Sequence, residues 1–310
     1  MTVARHTLAA LLCAIMLNAC TSQQASFRQE ELASAFPEVR QIVFLDNEKF
    51  GDTKLRRAMA TQRRPLLSPW KRGSDYNPSA IDADLLRLQK YYFDRGYLDV
   101  RATVAEVEQD EAANTVQLHI RVEEGDVTIV REVEVRVEGP VPPSLPSVET
   151  LRNDLPLRVN EPITKAAFES SRDQLLLALQ RAGYARAAVH PHTEVDRRTH
   201  EAFVRYTLEA GERTAFGQVT VTGAENVRPE AIRRRLTFQP GEIYSPGAVT
   251  DSQAAIYDLG MFRAVTPRSL NPEAAGEPLD IEFEVRERKP RSFEVGLGLS
   301  TVERFRLQAR

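Results

Sequence analysis

Five histidines are the first residues to weigh for chemistry. His190 and His192 flank Pro191, and on a strand they would share a face, as a metal pair requires; His200 follows nearby. No carboxylate pattern completes a site around them, so they read as exposed histidines of a solvated hairpin. Phosphate-loop, dinucleotide and hydrolase-elbow spacings are absent. Glu123-Glu124 and Glu209 end strand-like runs and read as solvated turns rather than acid–base pairs. Tyr91-Tyr92-Phe93 reads as core packing. Arg233-Arg234-Arg235 covers successive helix faces, one of which can lay its aliphatic stem on the core; docking to anionic lipid is the alternative. Side-chain catalysis therefore has no support, and what remains able to act is the backbone at the border of a sheet.

The elements that must position such a border repeat three times. Tyr91-Tyr92-Phe93-Asp94-Arg95-Gly96-Tyr97, Leu179-Gln180-Arg181-Ala182-Gly183-Tyr184 and Tyr257-Asp258-Leu259-Gly260-Met261-Phe262 each end a helix-like run at a glycine. Those glycines stand 87 and 77 residues apart, and the closing strand ends at 122, 208 and 285 stand 86 and 77 apart. Two landmarks sharing one period indicate three copies of a module of about 80 residues.

Each module reads as strand, helix, helix, strand, strand. In module one Val39 to Leu45 is a strand and Asp52 caps a short helix over 53–61. Asn77-Pro78 opens a long helix with a stripe at Ile81, Leu85, Leu88 and Tyr92. The strands Leu98 to Glu108 and Val116 to Val122 close the module as a hairpin. Module two runs from Thr128, with a short helix near Ser147, a long one from about Pro162 to Ala182 and a closing strand Phe203 to Leu208. Module three opens with Phe216 to Gly223, starts its helices at Pro229 and Pro246, and closes with Leu279 to Val285. The hairpin forces antiparallel pairing while the first strand returns through two helices, which predicts an α+β fold of three-stranded mixed sheets with two helices on one face.

Charge is nearly balanced, 41 basic against 44 acidic residues, which gives no electrostatic case for nucleic acid. Arg5 and His6 precede an apolar run from Leu8 to Leu17, too short to span a bilayer as a helix. The following Leu17-Asn18-Ala19-Cys20 resembles a bacterial lipoprotein cleavage box, which would leave Cys20 as an acylated first residue. A plain secretory signal cut after Ala19 or Ala25 is the alternative. Cys13 would be lost with the signal, leaving one cysteine and no intramolecular disulfide. The expected boundaries are signal 1–19, tether 20–38, modules 39–125, 126–211 and 212–288, and a C-terminal segment 289–310.

Val219-Thr220-Val221-Thr222-Gly223-Ala224-Glu225-Asn226-Val227, Gly241-Glu242-Ile243-Tyr244-Ser245-Pro246 and Ile256-Tyr257-Asp258-Leu259-Gly260-Met261-Phe262 resemble a POTRA (polypeptide-transport-associated) domain. The departure is Gly223-Ala224-Glu225-Asn226, where the family often has Gly-Asn directly. Module one, with Pro69-Trp70 and the Tyr91–Tyr97 run, is similar to the first POTRA domain of BamA/TamA-type barrel assembly factors, and three such domains before a barrel resemble a TamA-like member. In the C-terminal segment Phe293, Val295, Leu297 and Leu299 alternate with small and polar residues, as the first strand of a transmembrane barrel would; one more soluble strand is the alternative. A single strand cannot close a barrel, so the chain is expected to be a fragment of a longer protein.

The resemblance implies a periplasmic arm at the bacterial outer membrane that binds unfolded outer-membrane or autotransporter clients, contacts outer-membrane lipid and an inner-membrane-anchored TamB-like partner, and uses no metal or cofactor. A barrel-less lipid-anchored scaffold is the second reading. Strand addition to the border strand of each module is the expected contact. Pro191 and Pro267 each remove a donor from the border strands of modules two and three. Module one has no proline there, so its strand carrying Leu98, Val100, Ala102, Val104 and Glu106 is the expected docking edge.

Overall fold

The computed structural model describes residues 36–63, 65, 73–288, 295–298 and 306–309. Module one holds β1 (Glu38–Leu45), α1 (Asp52–Ala58), α2 (Pro78–Phe93), β2 (Arg101–Asp110) and β3 (Thr115–Glu123). Module two holds β4 (Ile129–Glu138), α3 (Val148–Asn153), α4 (Lys165–Arg181), β5 (Ala188–Asp196) and β6 (Glu201–Glu209). Module three holds β7 (Phe216–Thr222), α5 (Pro229–Arg233), α6 (Pro246–Tyr257), β8 (Phe262–Ser269) and β9 (Leu279–Glu287). The sheet orders are β1-β3-β2, β4-β6-β5 and β7-β9-β8. The last strand is therefore central in every module, a choice the hairpin alone leaves open because the first strand could return to either of its strands. In modules one and three the first strand lies parallel to it and the preceding strand antiparallel.

A central strand flanked on both sides must alternate apolar and polar, because one face meets the helices and the other water. β3 does so with Val116, Leu118, Ile120 and Val122, which share a core with Val39, Ile42 and Phe44 of β1, Leu55 of α1 and Leu88 and Tyr92 of α2. β9 repeats the pattern with Leu279, Ile281, Phe283 and Val285 against Phe216, Ile232, Ile256 and Phe262. In β6 the buried set is Ala202, Val204, Tyr206 and Leu208.

Helix starts follow local chemistry, with two corrections. Asn77 caps α2 by accepting the Ser79 N–H at 3.0 Å, and Ser147 caps α3 through the Thr150 N–H. Asp52, expected as a cap, is the first helical residue of α1; it accepts from Asn47 and pairs with Arg56 at 3.3 Å while Gly51 stands at the cap. Pro162 does not open a helix either: it forms a backbone bridge with Ile129, and α4 starts at Lys165. Thr164 accepts the Ala167 N–H at 3.2 Å there. Asn77, Thr164 and Ser245 are thus the equivalent positions.

The chain divides into two compact units whose border runs through module two. One contains residues up to Glu132 together with Leu157–Phe168 and Glu194–Phe203; the other contains Val133–Pro156, Glu169–Thr193 and everything from Val204. β10 (Val295–Gly298) and β11 (Arg306–Ala309) pair antiparallel, with Val295 opposite Ala309 and Leu297 opposite Leu307. A lone C-terminal strand was expected; the second, at Arg306–Ala309, corrects that reading. Cys20 and the signal, Trp70, Phe293 and Leu299 lie outside the described residues.

Candidate functional site

β2 borders its sheet along 10 residues, against 9 for β5 and 8 for β8. It begins at Arg101, so Leu98 and Val100 precede the strand instead of lying in it; Val100 packs against the core from the turn. Ala102 is buried opposite Val122 and Val104 stands opposite Ile120. A bulge between Val104 and Glu106 then reverses the alternation. Glu106 is carried to the other face, opposite His119, and Val107 takes the inward row opposite Leu118. Past Ala102 every residue of β2 is exposed, Val104 and Val107 at 37 % each.

The other border, formed by the first strand, is partly covered. At its start β1 is held by the segment entering α2 (Val39 N–H to Ser74 C=O 2.9 Å, Tyr76 N–H to Pro37 C=O 2.8 Å). The same ladder recurs where Phe216 bonds Glu242 and Tyr244 bonds Thr214 in module three. No comparable backbone ladder covers β2 among the described residues. In β8 the border is further blunted. Pro267 sits opposite Phe283, and Gln253 donates to the Val265 carbonyl at 2.7 Å, whereas the matching Gln89 reaches Ala102 only at 3.4 Å.

The junctions between modules reuse the helix-ending glycines. Gly96, Gly183 and Gly260 all have positive φ, 93°, 97° and 72°. Gly96 C=O accepts the Thr128 N–H at 2.8 Å and Gly183 C=O accepts the Thr214 N–H at 2.9 Å, so each helix end receives the next module's first residues. A side chain at Gly96 would meet Ile163 C=O at 3.1 Å, and one at Gly183 would meet Ile243 Cγ2 at 2.6 Å; Gly260 has open space. Three residues on, Asp99 pairs with Arg197 at 3.0 Å and approaches His200, in the β5–β6 turn. At the matching position Arg186 donates to the carbonyls of Asn271, Pro272 and Glu277 in the β8–β9 loop, 2.8–3.1 Å away. Arg186→Ala is therefore expected to raise amide exchange in 270–278 about tenfold while leaving the module-one hairpin unchanged, which exchange mass spectrometry would check.

Three acids, Asp84, Glu124 and Glu287, have roles that the sequence did not show because their partners are distant. Asp84 of α2 is fully buried and accepts the N–H groups of Ala60 and Thr61 (2.7 and 2.9 Å) and the Arg87 guanidinium (2.7 Å). Seven residues after each helix cap, the same place holds Ser171 and Ser252, both buried; Ser252 accepts the Thr237 N–H at 2.9 Å. Glu124 accepts the Lys49 N–H and the Tyr92 hydroxyl (2.7 Å), and burial first, then that carboxylate, pushes the Tyr92 phenol far up. The acidic end read as a solvated turn is thus a tie between β3 and the β1–α1 loop. Glu287 does the same in module three, accepting the N–H groups of Glu225, Asn226 and Val227 at 2.9 Å each, which fills the turn that the extra Ala224-Glu225 lengthens.

The Asn226 amide first, then those backbone donors, hold the Glu287 carboxyl down at about 2. A lowered value means its contribution is complete above the ordinary Glu range near 4.3 and lost as pH falls toward about 2. Amide exchange at 225–227 should accelerate over that window, and Glu287→Gln should show the faster exchange already at pH 7 with the acid dependence gone.

His190 Nε2 lies 3.2 Å from Glu209, and no group of three His, Cys, Asp or Glu among the described residues could hold a metal ion. Among those residues no helix is long and apolar enough to cross a membrane.

Mixed β-α-α-β-β modules joined through glycine helix ends define a tandem array of one small domain. A family model described as "Surface antigen variable number repeat", POTRA, matches residues 37–125 and 214–288, more than half of the chain, and the chain belongs to that family. Similar curated proteins include a putative outer membrane protein assembly factor of Treponema pallidum, 25 % identical over 274 residues that make up 85 % of this chain and 31 % of that protein. The outer membrane protein assembly factor BamA of Neisseria meningitidis is 22 % identical over 84 % of this chain and 32 % of its own length. The chain thus spans about a third of the curated relatives it matches. A crystal structure of Haemophilus influenzae BamA POTRA3-5 superposes with a TM-score of 0.54 at 19 % identity, covering 81 % of this chain and 97 % of that one, which shows the shared fold. Module two escapes the family model yet keeps the sheet order of its neighbours, with Ala210 where they carry Glu124 and Glu287.

Proposed function

We propose that this chain is the periplasmic arm of an outer-membrane protein assembly factor, receiving unfolded outer-membrane or autotransporter polypeptides and guiding their insertion. Its relatives named above are assembly factors, not enzymes, and the reading calls for no cofactor. Docking of a partner such as a TamB-like inner-membrane protein, and an acylated Cys20 at the outer membrane, belong to the same reading.

The observation that carries it is β2: a border strand of 10 residues, free of proline, with no backbone ladder on its outer side among the described residues. A polypeptide adding there gains main-chain hydrogen bonds whatever its side chains, which suits a factor with many clients. The bulge divides the edge into Arg101–Val104 and Glu106–Asp110, so an added strand must follow one segment or bend with both.

Proline scanning tests this. N–H groups of adjacent strand residues point to opposite sides, so of Thr103→Pro and Val104→Pro one breaks a bond to β3 and the other deletes only a free rung. The variant that keeps the parent's circular dichroism and melting temperature should bind an unfolded outer-membrane polypeptide, diluted from urea, about tenfold more weakly. Parent-like binding by that folded variant places the docking site elsewhere.

A further inference from the structure

An open depression of about 320 Å³ lies where the end of α4 meets the first residues of module three, within one compact unit. Arg181 and Arg213 line it together with Ile243, Pro146 and Ser144, and no carboxylate is among the lining residues. Neither guanidinium has an ion pair or hydrogen bond among the described residues. Neither Glu212, next to Arg213, nor Glu242, next to Ile243, lines the depression: Glu212 Oε2 lies 3.4 Å from where a Cβ on Gly276 would stand, and Glu242 accepts the Gln239 N–H at 3.1 Å. Ser144 spends its hydroxyl hydrogen on the Ala182 carbonyl at 3.1 Å, which leaves the two arginines as the free donors. Ile243 adds an apolar wall that is 45 % exposed.

Two unpaired guanidiniums across a small depression attract one carboxylate, and each can donate two hydrogen bonds to it. The apolar wall beside them asks for a side chain adjacent to that carboxylate. The volume is at the lower end for ligand sites and suits one or two side chains, not an acyl chain. We propose that this depression is a peptide-docking site for a polypeptide segment with an acidic residue next to an apolar one, the carboxylate bridged by Arg181 and Arg213 and the apolar side chain laid on Ile243 and Pro146. The contact is read through side chains and stands apart from backbone addition at β2.

The probe is a terminally blocked pentapeptide, Ala-Leu-Asp-Leu-Ala, titrated into the full chain and followed by amide NMR shifts. The largest shifts are expected at Ala182, Gly183 and Ile243, weakened about tenfold by Arg181→Gln with Arg213→Gln, and several-fold by raising salt from about 0.05 to 0.5 M. Ile243→Ser should weaken the peptide without removing the salt dependence. The folded proline variant of β2 should bind it as the parent does, so failure of the edge proposal and failure of this one are separate results. Equal binding of the Lys-substituted peptide, unchanged binding by the double Gln variant at parent melting temperature, or shifts centred elsewhere would each overturn the proposal. So would phosphatidylglycerol vesicles that engage the arginines where the peptide does not, since the site would then serve lipid.

Discussion

Asp84→Ala is expected to destabilise module one by about 3 kcal/mol. The carboxylate is fully buried and is the acceptor for two backbone N–H groups, at Ala60 and Thr61, where the chain leaves α1. Removing it strands both donors away from water, at about 1–3 kcal/mol each, offset in part by relaxation and water entry. Asp84→Ser should cost less, because Ser252 shows that a hydroxyl in the equivalent place can still accept one such N–H. Burial by itself would raise the Asp84 pKa, but the bonds from Thr61, Ala60 and Arg87 outweigh it and the group titrates below its usual range. Its folded value being lowered, the stabilisation is whole above the unfolded Asp value near 3.9 and is lost as pH falls through the folded one. Denaturant melts of the parent should therefore weaken in acid below about pH 4, and those of Asp84→Ala should weaken less. A parent and variant separated by under 0.5 kcal/mol at pH 7 would refute the assignment.

Gly183→Val should cost about 2–4 kcal/mol, whereas Gly260→Val should cost only about 1–2. Both glycines adopt positive φ, and a side chain there carries a strain of about 1–2 kcal/mol. They differ in what surrounds them. At Gly183 the new Cβ would meet Ile243 Cγ2 at 2.6 Å and Arg213 Nε at 3.2 Å, but at Gly260 it meets nothing within 4 Å. The extra 1–2 kcal/mol is overpacking at the junction with module three. Amide exchange should accordingly rise around α4 and also at Thr214, whose N–H bonds the Gly183 carbonyl, while the α1–β1 region keeps its protection. Equal costs at the two glycines would mean that the junction yields freely.

Three modules and their element order were legible in the sequence because each rests on short-range chemistry. A glycine ends a helix, Asn77-Pro78 starts one, and Val116-Leu118-Ile120-Val122 alternates as a sheet face must. The three helix-ending glycines with positive φ follow from the same local rules. Three things were beyond any local signal. The bulge that turns Glu106 away and Val107 inward depends on how many residues of β2 must span those of β3, which is settled only when the strands pair. The start of α4 at Lys165 rather than Pro162 depends on a backbone bridge to Ile129, over thirty residues earlier. Asp84, Glu124 and Glu287 look like solvent-facing acids in sequence, and only the folded loops bring N–H donors to them across 23, 75 and about 60 residues. The sequence by itself determined which elements form and in what order, since helix ends, caps and strand alternation are encoded by neighbours in the chain. The tertiary structure decided which border stays open, which acids become anchors and where two arginines converge, because hydrogen-bond demand and burial are set by partners that only folding brings together.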